Sequence, residues 1–163
     1  MSTDQRPLKK VEESKSETMR VVMHADANAQ GRIFGGRLME WIDMVGGIAA
    51  IRHCGGPVTT ACVDKLNFLA PAYVGDVVVM QGRVTYVGNT SCEVRVESHV
   101  ENVKTGERHL INTAYLTEVL IGEDGHIKRI PYDIDHSDPE LDREWHAAQN
   151  RKELRAARRE SGI

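Results

Sequence analysis

Cysteine is scarce in this chain. Cys54, Cys62 and Cys92 are the only three in 163 residues. An odd count with no C-x-x-C spacing speaks against a disulfide framework or a zinc site. His53 and Cys54 are adjacent, but neighbours on a helix point about 100° apart, a poor chelate for a metal. Reduced, buried thiols and no metal are therefore expected. Aromatic residues make up 5% of the chain and the net charge is −3, so no broad basic excess points to nucleic acid. Runs of about 18 apolar residues free of charge are missing too, and no membrane span is expected. The opening residues, MSTDQRPLKKVEESKSE, lack the apolar core of a signal peptide, which points to the cytoplasm. Rich in Lys, Glu and Ser and without periodicity, residues 1–17 read as a disordered tail. The whole chain, 40% hydrophobic and 28% charged, suits one globular domain burying about 70% of its unfolded surface.

Along the chain, TMRVVMH (18–24) is a short strand candidate. ADANAQGRIFGG (25–36) is a loop whose Gly31, Gly35 and Gly36 do not have the spacing of a dinucleotide-binding turn. A helix is predicted from about Gly36 to His53, stopped by Gly55-Gly56-Pro57. Residues 58–70 and 75–87 are β-branched, apolar strand runs. Residues 90–103 alternate, with Cys92, Val94, Val96, Ser98 and Val100 on one face and Glu93, Arg95, Glu97, His99 and Glu101 on the other. KTGE (104–107) is a turn, 108–121 a further strand, and Asp124-Gly125 another turn. Such strands exceed the usual ~5–6 residues. Joined by tight turns, they imply one curved antiparallel sheet wrapped around the one apolar helix, an α+β fold. From about Pro139 to Arg159 a charged helix is expected. It would be a solvated surface helix, an aid to binding an anion, or a contact with another subunit.

The helix contains a puzzle. Asp43 sits amid apolar residues, with Gly46 and Gly47 just beyond it. At 100° per residue, Met39, Gly46, Gly47 and Ala50 lie within ~60° of Asp43. Leu38, Trp41, Ile42, Val45, Ile48 and Ala49 cover the other side. Each mid-helix glycine costs ~1 kcal/mol relative to alanine, so something needs the space: a closely packed backbone or a ligand. Asp43 is then either a partly buried reactive carboxylate or the ion-pair partner of Arg37 or Arg52. Gly35-Gly36 leaves the helix start open, where free N–H groups can hold an oxygen that becomes an anion. Asp43 lies seven residues further on, ~10 Å along the axis, too far to serve a carbonyl bound at its own helix start. A second copy of the chain would bring the two together. Asn28, in the preceding loop, suits either an Asx-turn or a polar role in that site.

These residues resemble a known family. ADANAQGRIFGG, WIDMVGG, VTTACVDKLNF and GNTSCEV, in that order and with fifteen residues from Asn28 to Asp43, are similar to blocks of the hotdog-fold acyl-CoA thioesterases, in the acyl-CoA hydrolase branch. The resemblance covers about residues 18–131, leaving 132–163 as a helical tail. It implies a hotdog fold, dimers with paired sheets, and a trimer of such dimers. It also implies hydrolysis of fatty acyl-CoA to acid and CoA with no cofactor, CoA being part of substrate and product. The family's catalytic Asn and helix carboxylate fall on Asn28 and Asp43, which meet across the dimer interface. Its helix-start glycine falls on Gly36 and its strand threonine on Thr60. The CoA-side turn falls on Asn89, Thr90 and Ser91. Apart from the resemblance, the small residues beside Asp43, Gly47 among them, are expected to leave room for the thioester. Phe34 stands where many relatives have His and Arg32 where Asn is common; these departures bear on substrate preference.

The chemistry is consistent with that set. A thiolate leaves without a strong general acid, its pKa being near ~8.5 by analogy with Cys. One base and one oxyanion site suffice. Asp43 would activate water or attack directly, and a partly apolar site would raise its basicity. Asn28 would orient the water or polarise the carbonyl, and the Gly36 N–H would hold the oxyanion. Rival readings are a hotdog dehydratase, which needs a His–carboxylate pair that His24 and Phe34 do not supply, and a non-catalytic acyl-CoA sensor, for which the N-terminus is too short to carry a DNA-binding helix pair. Cys92 as nucleophile lacks an obvious base.

Overall fold

Four long strands dominate the computed structural model, which describes residues 5–162. In chain order the elements are β1 (Leu8–Lys10), α1 (Val11–Ser14), β2 (Ser16–Val21), a 3-10 turn (His24–Asp26), α2 (Gly35–Cys54), β3 (Val58–Phe68), β4 (Val77–Val87), β5 (Ser91–Glu101), β6 (Arg108–Leu120), β7 (Asp133–Asp135) and α3 (Pro139–Ser161). The main sheet is antiparallel in the order β2-β4-β5-β6-β3, leaving β2 and β3 at the edges. This is the predicted α+β hotdog arrangement. The expected strands and both helices form within a few residues of their predicted bounds.

Helix α2 lies on the concave face of the sheet. Leu38, Trp41, Ile42, Val45, Ala49, Ala50 and Cys54 join Val78, Met80, Val84, Val94, Val96, Ala114 and Leu116 in one apolar core. Two glycines permit the close approach. A Cβ on Gly82 of β4 would stand 3.2 Å from the Val45 carbonyl oxygen, and one on Gly46 would stand 3.3 Å from Leu116 Cδ2. The helix ends as expected at Gly55, whose φ of 74° suits the left-handed C-terminal position.

Two expectations fail. Residues 8–17, expected as part of a disordered tail, are instead docked; residues 1–4 lie outside the described ones. β1 pairs in parallel with β7, Val11 is buried, and the Ser14 hydroxyl donates to the Val11 carbonyl (2.7 Å) while accepting the Val84 N–H (3.0 Å). The pairing with β7 and the bond to Val84 are with distant residues, so no local pattern announces them. Helix α3 is also more than a solvated helix, for it lies against the face of the sheet opposite α2. Its Glu144 accepts from Arg83 and Arg95 (2.8 Å each), and its Arg151 binds Glu93 (2.7 and 2.9 Å) with its guanidinium 3.8 Å from the Tyr115 ring centre. The charged face of β5 is thus covered by a charged helix of the same chain. Asp138 caps α3 by accepting from Glu140 N and Leu141 N.

Candidate active site

Asp43 and Thr60 are brought together. β3 runs beside α2, and the Thr60 hydroxyl lies 2.7 Å from Asp43 Oδ1. Among the described residues Asp43 has no basic partner: Arg37 pairs with Asp26 and Glu40, and Arg52 donates to the Lys15 carbonyl. The ion-pair alternative for Asp43 therefore falls away. Asp43 is exposed rather than partly buried on the single chain.

The helix geometry sorts the small residues into two kinds. Gly46 and Ala50 pack on the sheet, and Gly46 is small because Leu116 needs the space. Gly47 points outward, where a Cβ would meet nothing within 4 Å. Ile48, expected on the buried side, is 48% exposed, as are Met44 and Ile51 at 41% and 45%. Spaced four and three apart, those three form an apolar stripe down the outer side of α2.

A cleft of about 270 Å³ runs along the helix from Gly36 past Met39 to Asp43, closed on the other side by Val63, Leu66 and Leu116. At its start Phe34 gives no side-chain cap. The Arg37 and Leu38 N–H groups both turn back to the Phe34 carbonyl (2.9 and 3.1 Å). The Gly35 and Gly36 N–H groups have no described partner, and Gly36 lines the cleft. A side chain on Gly36 would run into the Phe34 ring at 2.8 Å.

Asn28 does make the Asx-turn. Its Oδ1 accepts from Gln30 N (3.0 Å) and Arg32 N (3.2 Å), and its backbone is tied to Arg32 and Gly31. With Oδ1 occupied, the amide nitrogen is the group left over, so Asn28 can act only as a donor there. No described hydrogen bond joins Asn28 to Asp43. Asn89, Thr90 and Ser91 form the β4–β5 turn, where the Asn89 and Thr90 carbonyls accept from Ile130 N (2.8 Å) and Leu120 N (3.0 Å). Ser91 pairs with Val119, one step from the Thr60–Glu118–Cys92 level of the sheet, but no described hydrogen bond joins the turn to Asp43 within one chain.

The sequence reading missed Glu118. This β6 residue is 0% exposed and sits directly opposite Thr60, whose hydroxyl is 3.0 and 3.2 Å from its two oxygens. Burial is the first cause, and the nearby Asp43 charge a further one, that pushes its carboxyl up to about 7, against the lowering effect of the Thr60 hydrogen bond. A signal was present: Ala114, Leu116, Glu118 and Leu120 share one face of an alternating strand, and a carboxylate in that set is out of place.

The cysteines are free. Cys54 and Cys92 are buried with sulfurs 4.0 Å apart. Cys62 is only half-buried, contrary to expectation. The Cys54 contact, then burial, push the Cys92 thiol well up, which disarms it as a nucleophile. Among the described residues there is no cluster fit for a metal, and no helix long and apolar enough to cross a membrane.

Comparison with known proteins identifies the family. The profile of the thioesterase superfamily matches residues 30–107. The chain is 35% identical over 140 residues to the uncharacterized acyl-CoA thioester hydrolase YkhA of Bacillus subtilis, covering 86% of this chain and 81% of that one. It superposes on the acyl-CoA hydrolase of Staphylococcus aureus, an Asn28Ala mutant in complex with coenzyme A, with a TM-score of 0.91 at 34% identity over 97% of this chain and 94% of that one. Asp43Ala and Thr60Ala mutants of that enzyme are also solved. An apo-hexameric acyl-CoA thioesterase matches with a TM-score of 0.87 at 37% identity, covering 93% of this chain and 97% of that one. With a relative of that identity aligned over most of both chains, the protein belongs to the acyl-CoA thioester hydrolases of the thioesterase superfamily.

Proposed function

We propose that the protein hydrolyses acyl-CoA to free acid and CoA at sites built by two copies of the chain, with Asn28 and the Gly36 helix start from one and Asp43 with Thr60 from the other. The reaction class follows from the family: its relatives are thioester hydrolases acting on acyl-CoA, and related structures hold coenzyme A and butyryl-CoA. The observation that carries the site is the carboxylate of Asp43, held at one oxygen by Thr60 and exposed on the single chain, where a second copy can reach it.

Each group has a task set by its chemistry. The Gly36 N–H receives the thioester oxygen and holds it more strongly as it becomes an oxyanion. The Asn28 amide, a donor only, polarises the same carbonyl or orients water. Asp43 keeps one oxygen on Thr60 and turns the other to the water or the acyl carbon. CoA then leaves as a thiolate, which needs little help from an acid.

Sharing between copies is supported by three features. The ~10 Å of helix between Gly36 and Asp43 separates oxyanion site from carboxylate within one chain. β3 is an edge strand, free to pair. Beside it, the apolar stripe of Met44, Ile48 and Ile51 is left open. A two-fold dimer through this face joins both sheets, and three such dimers form a hexamer, the state of several relatives. Asn89, Thr90 and Ser91 are assigned to the CoA end and Gly47 to the thioester end of this site.

Thiol release from acyl-CoA esters of graded length tests the activity. Mixing Asn28→Ala and Asp43→Ala protein after dissociation tests the sharing. Random pairing makes half the dimers hybrid, each with one doubly lesioned and one intact site, so about a quarter of the activity should return. Hybrids seen in a native mass spectrum without regained activity would refute it.

A further inference from the structure

Glu118 is a carboxylate that the reaction as described leaves unused. It is 0% exposed, beneath α2 on the sheet. Thr60 Oγ1 is its one hydrogen-bond partner among the described residues, 3.0 and 3.2 Å from its oxygens, and that oxygen is also 2.7 Å from Asp43 Oδ1. A threonine hydroxyl has one hydrogen and two lone pairs. If both carboxylates were ionised, two acceptors would compete for one hydrogen, and one of the two contacts would set lone pair against lone pair. A proton on Glu118 removes the conflict, because its O–H then donates to Thr60 while Thr60 donates to Asp43. No cation among the described residues offsets a charge at Glu118. Among the described residues no Lys, Arg or His pairs with it, and the titratable groups that face it are acids: Asp43 and Cys54 on α2 and Cys92 on β5.

We propose that Glu118 is a positioning residue: protonated, it donates to Thr60, fixes that hydroxyl as a donor to Asp43, and keeps the single negative charge of the three groups on Asp43. The role rests on Asp43 being the acting carboxylate. Burial places the titration of Glu118 at about 7, so the aligned state is full below that pH and is lost as the pH rises through it. An ionised Glu118 takes Thr60's hydrogen away from Asp43. It also sets a second negative charge beside a site where an oxyanion and a thiolate form.

The test is the pH profile of kcat and KM, from about pH 5.5 to about pH 9, of wild type, Glu118→Gln and Glu118→Ala. Wild-type kcat should fall on the alkaline side with an apparent pKa near 7. Glu118→Gln replaces the acid O–H by an amide N–H donor; it should match wild type at the acid end and lose the fall. Glu118→Ala has no donor and should lower kcat roughly fivefold at the acid end with KM unchanged, the worth of one hydrogen bond, and should lose the alkaline fall as well. In a Thr60→Val background, adding Glu118→Ala should cost nothing more, because Glu118 acts through that hydroxyl. A second readout needs no substrate: the infrared band of a protonated carboxyl, lost as the pH is raised and missing from Glu118→Gln. An active wild type without that band overturns this proposal alone. An enzyme that shows the band but releases no thiol from any acyl-CoA overturns the functional reading and the positioning role with it. A Glu118→Gln profile that falls as wild type does overturns the assignment to Glu118.

Discussion

Raising the pH should destabilise this protein through Glu118, and replacing that residue should remove the effect. In the folded chain its carboxyl titrates at about 7 rather than at the usual 4.5. In the unfolded chain it is solvated and returns to the usual value. Between those two pH values the native state keeps a proton that the unfolded state has lost. Stability therefore falls as the pH rises through this window and levels off above it. Each tenfold change in protonation equilibrium is worth about 1.36 kcal/mol, so the full loss is about 3 kcal/mol. At 0% exposure the group has little solvent to screen it, although relaxation of the native state trims the figure. For a chain of this size 3 kcal/mol is worth about 6–12 °C in Tm. The assay is urea unfolding of wild type and Glu118→Gln at about pH 4.5 and about pH 8.5, at one fixed protein concentration because subunit association contributes to stability. His53 and His99, whose pKa values burial lowers, titrate in both proteins and cancel in the difference. Wild type should lose about 3 kcal/mol relative to the variant between the two pH values. A difference independent of pH would mean that Glu118 is ionised throughout or solvated in the native state, and would refute the reasoning.

Three further substitutions probe the helix. Asp43→Asn should lower kcat by ~10²–10⁴-fold, the usual loss of a general base, with the melting temperature held or raised; an unfolded variant whose remaining folded fraction turns over normally would make Asp43 structural. Gly46→Val should destabilise by ~1–3 kcal/mol through overpacking, since even a Cβ there stands 3.3 Å from Leu116, whereas Gly47→Val meets open space and should fold yet lose turnover. Thermal melts beside kcat/KM separate the two, and normal kinetics in a folded Gly47→Val would remove that residue from the site.

Much of this architecture is legible residue by residue. Alternation in residues 90–103 defines a strand with two different faces, and the 3.6 period with its closing Gly55 defines α2. Both signals arise within about ten residues of one another, where backbone geometry alone decides which side chains share a face. The Asn28–Asp43 pair, Gly36 and Thr60 were marked by a resemblance spread over four blocks. Helix α3 announced itself as a helix but not its resting place, because Glu93 and Arg95, which hold Arg151 and Glu144, belong to another element. Leu8–Lys10 carries no signal of its own, since its strand exists only while Asp133–Asp135 lies alongside.

The amino-acid order by itself determined where carboxylates, glycines and hydroxyls stand along their own helix or strand. Only the tertiary structure decided the state in which they work. Thr60 and Glu118 are 58 residues apart in the chain and meet through the pairing of β3 with β6. Asp43 reaches the same hydroxyl because Gly46 and Gly82 let α2 sink onto the sheet. Whether a carboxyl keeps its proton depends on the water and charges around it. For Glu118 those surroundings are assembled from α2, β3, β5 and β6, which no local stretch of sequence contains.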